Sequence, residues 1–353
     1  MPWSFKLFEI AGTQVRAHLT FFVLLAVLGT WSYSQGGIDA AVERVVFVIL
    51  LFGCVVLHEF GHAFAALRCG VRTPDITILP IGGLARLESM PEKPGEEAVV
   101  AIAGPIVNLI IAILLGAYLY LSFDMQTAVD FESVVASLPG QLLLANIALV
   151  VFNLVPAFPM DGGRLLRAFL TSQIGYVRAT QIAATLGQGL AIAFAVLAIF
   201  AGPLLFLVAV FVFLAAANEK QAAAIRAFAA RRTVRDVMIT NLEPLSLDSN
   251  VGDALQLLSR STQDVVPVLD HDQQLCGFVS RRDLERAFKR DGPARPISDM
   301  VEADIPSVAS DAELKQAVDL LQNSEKHIVA ITDRSRRFQG YIALQHVARL
   351  AAL

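Results

Sequence analysis

Val45–Ala66 reads VVFVILLFGCVVLHEFGHAFAA, an apolar run long enough to cross a bilayer as a helix. His58, Glu59 and His62 stand near its end. On a helix, residues four apart share a face, so the two imidazoles can grip one metal ion while Glu59 projects beside it. This is the HExxH spacing of helical zinc sites, in which the glutamate is the general base. A carboxylate inside an apolar span is costly unless it is paired, neutralised or set beside a metal or a water-filled cavity, so its presence there marks a functional site. A hydrogen-bonded cluster that packs helices together is the structural alternative. Cys54 lies one turn before His58 on the same face and reads either as a small packing residue or as a further ligand.

The rest of the chain divides by composition. Its 353 residues are 55% hydrophobic with a mean hydropathy of +0.59, too apolar for an ordinary soluble enzyme. Charge is unevenly spread: positions 1–217 carry 10 Lys+Arg and 13 Asp+Glu, whereas 218–353 carry 18 and 19. The first part therefore reads as membrane-embedded and the second as soluble. A net charge of -4, an isoelectric point near 5.9 and the lack of a basic stripe argue against nucleic acid as a partner. Cys54, Cys69 and Cys276 are scattered, which fits a reducing compartment and no disulfide framework. The apolar run from Leu19 has no small-residue cleavage site after it and is read as a spanning helix, not a cleavable signal.

Six spans are expected: His18–Tyr33, Val45–Ala66, Ala98–Leu121, Val134–Phe158, Ala179–Phe200 and Pro203–Ala217. In that arrangement Lys6, Arg16, Arg68, Arg72, Arg86, Lys93, Arg164, Arg167, Arg178, Lys220 and Arg226 fall on one side. The loop Asp124–Glu132, on the other side, has no Lys or Arg. Basic residues near span ends stay in the cytoplasm, so a multi-pass protein of the cell membrane with both termini cytoplasmic is predicted. Between the second and third spans, Asp75–Glu88 (DITILPIGGLARLE) has β-branched residues and a Gly82-Gly83 turn. It reads as a hairpin dipping toward the site, with an edge that can pair with an extended substrate segment, or as an ordinary cytoplasmic loop.

Two imidazoles leave a tetrahedral zinc short of one protein ligand and one water. Asp161 is the candidate, within NLVPAFPMDGGR, Asn153–Arg164. Pro156 and Pro159 must break the fourth helix there, and broken helix at membrane depth is tolerated only beside a cavity. Asp161 reads as the third ligand or as the N-cap of a helix over Gly162–Thr171. Two imidazoles and a carboxylate suit zinc.

With HEFGH in an early span and NLVPAFPMDGG in a later one, the chain resembles the site-2 protease family of intramembrane zinc metalloproteases. The order of elements fits across Ala11–Ala217, including ILPIGG and the AGPIVN of Ala103–Asn108. The resemblance implies one zinc ion held by His58, His62 and Asp161, with Glu59 as general base and Asn153 helping to hold the substrate or the oxyanion. It also implies regulated proteolysis of a membrane-tethered signalling protein, such as an anti-sigma factor or a sigma-factor precursor.

Positions 231–353 repeat with a period of 63 residues. Val234-Arg235-Asp236 matches Ile297-Ser298-Asp299, Pro267–Asp270 (PVLD) matches Ala330–Asp333 (AITD), and Gly277-Phe278-Val279 matches Gly340-Tyr341-Ile342. Each unit reads as helix, strand, strand, helix. The pair resembles tandem cystathionine-β-synthase (CBS) domains, on the repeat and on GFVSRRDL, Gly277–Leu284. That resemblance implies an adenine nucleotide such as ATP, with Ser280 meeting phosphate and Asp283 the ribose. The second unit departs, with Ala343 and His346 at those places, so at most one of the two usual sites looks intact. A structural pair that forms a homodimer without a ligand is the alternative.

The expected fold is an α-helical polytopic membrane protein with six transmembrane helices and a short re-entrant β-hairpin, plus an α/β cytoplasmic CBS-domain pair. The expected divisions are a membrane domain at 1–217, a helical linker at 218–230, and CBS units at 231–290 and 291–353. The leading reading is a zinc protease working in the lipid bilayer on membrane-tethered substrates. A CBS-gated transporter or channel, and a metal-containing scaffold without turnover, are the competing classes. The first of these lacks a charge-lined pathway beyond the metal cluster.

Overall fold

The computed structural model describes residues 3–351, apart from 81, 87–92, 123–130, 231, 241, 261–264, 273, 325 and 334–336. The chain divides into two compact units, Met1–Lys220 and Gln221–Leu353. The acidic loop expected at Asp124–Glu132 falls mostly outside the described residues.

The first unit opens on two strands absent from the sequence reading, β1 (Ser4–Ile10) and β2 (Thr13–His18), paired antiparallel. Strand β2 alternates with period two, burying Thr13, Val15 and Ala17. Strand β1 has no such signal, because its apolar residues on both faces are exposed. The expected hairpin is present as β3 (Asp75–Leu79) and β4 (Gly82–Arg86), in register from Leu79↔Gly82 to Asp75↔Arg86. It is not free-standing: β3 pairs in parallel with β2, giving a four-stranded sheet in chain order with β4 as an outer strand.

Helix α1 (Leu19–Arg68) joins the two hairpins and takes in both of the first two expected spans. Fifty helical residues would extend about 75 Å at 1.5 Å per residue, far more than one bilayer crossing. The backbone leaves helical geometry at Gly36 and Gly37, where Gly37 has φ 73°, so two arms at 19–35 and 38–68 result. Helix α2 (Pro94–Ser122) matches the third expected span. The fourth run, Val134–Phe158, is not one helix. It divides into the end of a short helix α3 (Phe131–Ala136), then α4 (Leu138–Asn153), then non-helical 154–160. Pro139 at the head of α4, with Pro156 and Pro159 beyond it, withholds the backbone donors that a continuous helix needs.

Helix α5 (Asp161–Ile174) follows, then α6 (Tyr176–Ala201) and α7 (Pro203–Ala229). Among the described residues α1, α2, α6 and α7 are long and apolar enough to cross a membrane, and α4 is a shorter apolar helix. The last expected span and the expected linker are one element, since α7 runs unbroken from Pro203 to Ala229.

The second unit is the repeat made visible. β5 (Leu245–Ser246), α8 (Val251–Ser259), β6 (Val265–Leu269), β7 (Leu275–Ser280) and α9 (Arg281–Asp291) recur as β8 (Ser307–Ala309), α10 (Leu314–Asn323), β9 (Ile328–Thr332), β10 (Phe338–Ala343) and α11 (Leu344–Ala351). Both sheets have one parallel and one antiparallel pairing, in the same order. The segment leading each repeat packs into the other repeat. Val234 joins the core of Val308, Leu314 and Ile331, and Ile297 joins that of Leu245, Val266 and Leu284. Backbone bonds hold the exchange, Val234 N–H to Ala312 O and Ile297 N–H to Ser249 O.

Candidate metal centre

The last turns of α1 and the first residue of α5 meet. His58, His62 and Asp161 are all buried, and their ligand atoms lie within 4.8 Å of one another. The His62 Nε2 is 3.0 Å from the His58 Nε2. Asp161 Oδ2 is 3.3 Å from the first imidazole and 3.1 Å from the second. Asp161 is not an N-cap: Met160 holds that position without a side-chain bond, and Asp161 is the first helical residue. The segment before it satisfies its own backbone, with Ala157 N–H to Val155 O, Met160 N–H to Ala157 O, and Phe158 N–H to Ala183 O on α6.

The far nitrogens of both rings are committed. His62 Nδ1 is 2.7 Å from the Val100 carbonyl, which only accepts, so that nitrogen carries the proton. His58 Nδ1 meets Asn108 Oδ1, and the polarity of this contact is set from a distance. Asn146 Nδ2 donates to Leu142 O at 2.8 Å, leaving Asn146 Oδ1 to accept from Asn108 Nδ2 at 2.7 Å. That in turn leaves Asn108 Oδ1 toward His58, whose Nδ1 must donate. With Nδ1 as the donor, each neutral ring turns its Nε2 lone pair toward Asp161. Two imidazole nitrogens and a carboxylate oxygen gathered in this way form a donor set that fits a cation at their centre. Two nitrogens and one carboxylate oxygen suit a tetrahedral zinc that keeps one position open.

Glycines bring two neighbours against the centre. A Cβ built on Gly104 of α2 would overlap the His62 Nε2 and come within 2.7 Å of the His58 Cε1. One on Gly83 of β4 would lie 2.7 Å from Glu59 Cγ and 3.1 Å from its Oε1. The outer strand of the sheet thus rests against the glutamate of the HExxH stretch.

Helix α5 is anchored by a buried ionic cluster. Arg167, 1% exposed, donates from Nε to Glu97 Oε1 at 2.7 Å and from Nη1 to Glu219 Oε2 at 3.3 Å, and its Nη2 also reaches Glu97. Its guanidinium lies 4.7 Å from the Phe158 ring centre and 5.0 Å from that of Tyr176. One cation thereby ties α5 to α2, α6, α7 and the segment leading into Asp161. An uncompensated buried charge costs about 3–5 kcal/mol, so the cluster resists losing any one member.

The structure brings His58, Glu59, His62 and Asp161 to one region. Asn153 ends α4, and among the described residues its side chain makes no hydrogen bond to any of these four. Cys54 is buried but outside the His–His–Asp cluster. Ser280 and Asp283 meet at the N-terminus of α9, where Ser280 Oγ caps the helix and donates to Asp283 Oδ2 at 2.5 Å. Sequence reasoning gave Asn108, Asn146, Gly104, Gly83 and the Arg167 cluster no part in building the site. The available signal was polar residues inside apolar spans, Asn108 and Asn146 being fully buried.

Residues 46–194 match peptidase family M50, and 234–290 match the CBS domain. A zinc metalloprotease of Methanocaldococcus jannaschii is 30% identical over 354 residues, covering 100% of this chain and 97% of that protein. Stage IV sporulation protein FB of Bacillus subtilis is 26% identical over 153 residues, 43% of this chain and 49% of its own. Among solved structures, a site-2 protease from M. jannaschii aligns with 37% identity and a TM-score of 0.48, over 62% of this chain and 95% of that one. The chain belongs to the site-2 protease family, peptidase family M50, and carries CBS domains behind its membrane part.

Proposed function

We propose that this chain is an intramembrane zinc endopeptidase that cuts membrane-spanning or membrane-associated proteins. The observation that carries this reading is the convergence of the two Nε2 atoms and the Asp161 carboxylate beside Glu59, inside an apolar helix bundle. His58, His62 and Asp161 would hold the zinc. When bound, zinc acidifies a water and polarises a peptide carbonyl. Glu59 is the general base: its carboxylate takes a proton from the attacking water, holds it on Oε, and delivers it to the departing amine nitrogen. Asn153 is assigned to holding the substrate or the oxyanion. A helical substrate has its carbonyls tied up in hydrogen bonds and must unwind before attack. The outer edge of β4, against Glu59 through Gly83, suits pairing with the opened strand.

The arms of α1, then α2, the α3–α4 stretch, α6 and α7, supply six crossings in this reading, with both termini cytoplasmic and the β3–β4 hairpin re-entrant. Reconstituted with a tagged single-span substrate, the chain is expected to cleave it. Chelation should stop cleavage, and added zinc should restore it. Cleavage that proceeds unchanged under chelation overturns the mechanism.

The CBS pair is assigned to regulation by an adenine nucleotide, bound with Ser280 toward phosphate and Asp283 toward ribose, and to dimer formation. Helix α7 runs over Pro203–Ala229 and is assigned to carrying any nucleotide signal along the chain. ATP is expected to change the cleavage rate of the wild type, and Asp283→Ala to remove the response. A response that survives the substitution rejects this assignment.

A further inference from the structure

A recess of about 400 Å³ opens on the side of α1 turned away from the metal ligands. Phe60, Phe64 and Leu67 form its helical wall, and Ile10 from the end of β1 faces them. At 100° per residue these helix positions lie about 180–240° round the axis from His58, whereas His62 lies at about 40°. The recess is therefore separate from the centre where peptide hydrolysis is placed.

Its polar end is incomplete. Thr73 is 6% exposed and lines the recess, yet its Oγ1 has no hydrogen-bond partner. Its carbonyl is already taken, by the Thr13 hydroxyl at 2.7 Å. A buried hydroxyl left without a partner costs about 1–3 kcal/mol, so a ligand acceptor there is favoured. Arg72 is exposed beside it, and among the described residues no carboxylate pairs with it. Glu9, the acid on the adjoining strand β1, is engaged with Lys6 at 2.7 Å.

The apolar end points the other way chemically. Phe64 and Leu67 are 48% and 49% exposed at the end of an apolar helix, just before Arg68 closes it, and Ile10 at the end of β1 is 47% exposed. Strand β1 also exposes Phe5 and Phe8, with Trp3 exposed just before it, and Phe5 stacks edge-on against Phe22 of α1. Aromatic and basic residues in this arrangement mark the bilayer boundary. A cation and an unsatisfied donor at one end, with exposed apolar walls at the other, match an amphiphile with an anionic head.

We propose that this recess holds one anionic phospholipid, its phosphate accepting from Arg72 and the Thr73 hydroxyl and a tail lying along Phe64, Leu67 and Ile10. The assignment rests on α1 crossing the bilayer and not on proteolysis, so binding and cleavage are tested apart. The purified full-length chain is titrated in detergent with phosphatidylglycerol or phosphatidylcholine of equal tail length, and retained lipid is read by native mass spectrometry. One phosphatidylglycerol per chain is expected, with roughly tenfold preference over the zwitterionic lipid, as a charge-assisted contact gives. Arg72→Gln and Thr73→Val should each lower retention several-fold, while Arg68→Gln, outside the recess, should leave it intact. Zinc content measured on each variant shows that α1 has folded. Equal retention of the two lipids, or retention unchanged by Arg72→Gln in a zinc-bearing chain, overturns the proposal. Glycerol phosphate alone competing as well as the whole lipid would do so too, by reducing the site to a free-phosphate site.

Discussion

Glu59→Gln is expected to leave the chain loaded with zinc and unable to cut. The amide matches the carboxylate in size, so the contact with Gly83 and the end of α1 are kept. What it loses is the ability to accept a proton from water and return it to the leaving nitrogen. General acid–base assistance contributes about 10²–10⁴-fold, and here one group serves both halves of the reaction, so a fall of at least about 10³ in cleavage rate is expected. Zinc should remain near one per chain, because the residues that could hold it are His58, His62 and Asp161, without Glu59. Metal analysis and a gel assay on the same preparation read both quantities. A variant that still cleaves at a tenth of the parental rate removes Glu59 from the mechanism.

Gly104→Ala should act from the opposite direction, by expelling the ion. The new methyl would overlap the His62 Nε2 and reach within 2.6 Å of its Cε1 and 2.7 Å of the His58 Cε1. Neither ring can swing clear freely, since each is held through Nδ1, by Val100 O and by Asn108. Displacing ligand atoms by about an ångström costs on the order of 10² in rate, and disrupting the support of metal-bound imidazoles costs about 10–100-fold in affinity. Zinc content and cleavage should therefore fall together, with the helical circular dichroism signal retained. Gly116→Ala on the same helix, where an added Cβ meets nothing within 4 Å, is the control and should change neither. Full zinc occupancy in Gly104→Ala would mean that the rings approach the ion differently from the arrangement described.

The parts of this molecule legible in the sequence are those whose meaning is local or periodic. His58, Glu59 and His62 announce themselves because helix geometry alone sets their mutual positions. The 63-residue period exposes the tail for the same reason, since β6 and β9, and β7 and β10, begin one period apart. Asp161 was readable as a candidate because two prolines break the chain beside it, but setting aside the N-cap reading needed the observed start of α5. Asn108, Gly104 and Gly83 were silent because their roles depend on which helix or strand crosses α1 at what height, which no spacing encodes. Strand β1 was missed because its exposed apolar residues follow no period. The exchange of Val234 and Ile297 between repeats was hidden because both units present equivalent residues there.

The amide chain from Leu142 to His58 makes α4 more than a wall of the bundle. A single main-chain oxygen dictates the direction of every donor along it, and so decides which nitrogen of a ring two helices away offers its electrons. Were α4 drawn back far enough to part Asn146 from Asn108, the Asn108 amide could turn over and the imidazole could follow. A helix that lends no ligand would then govern whether the ion stays.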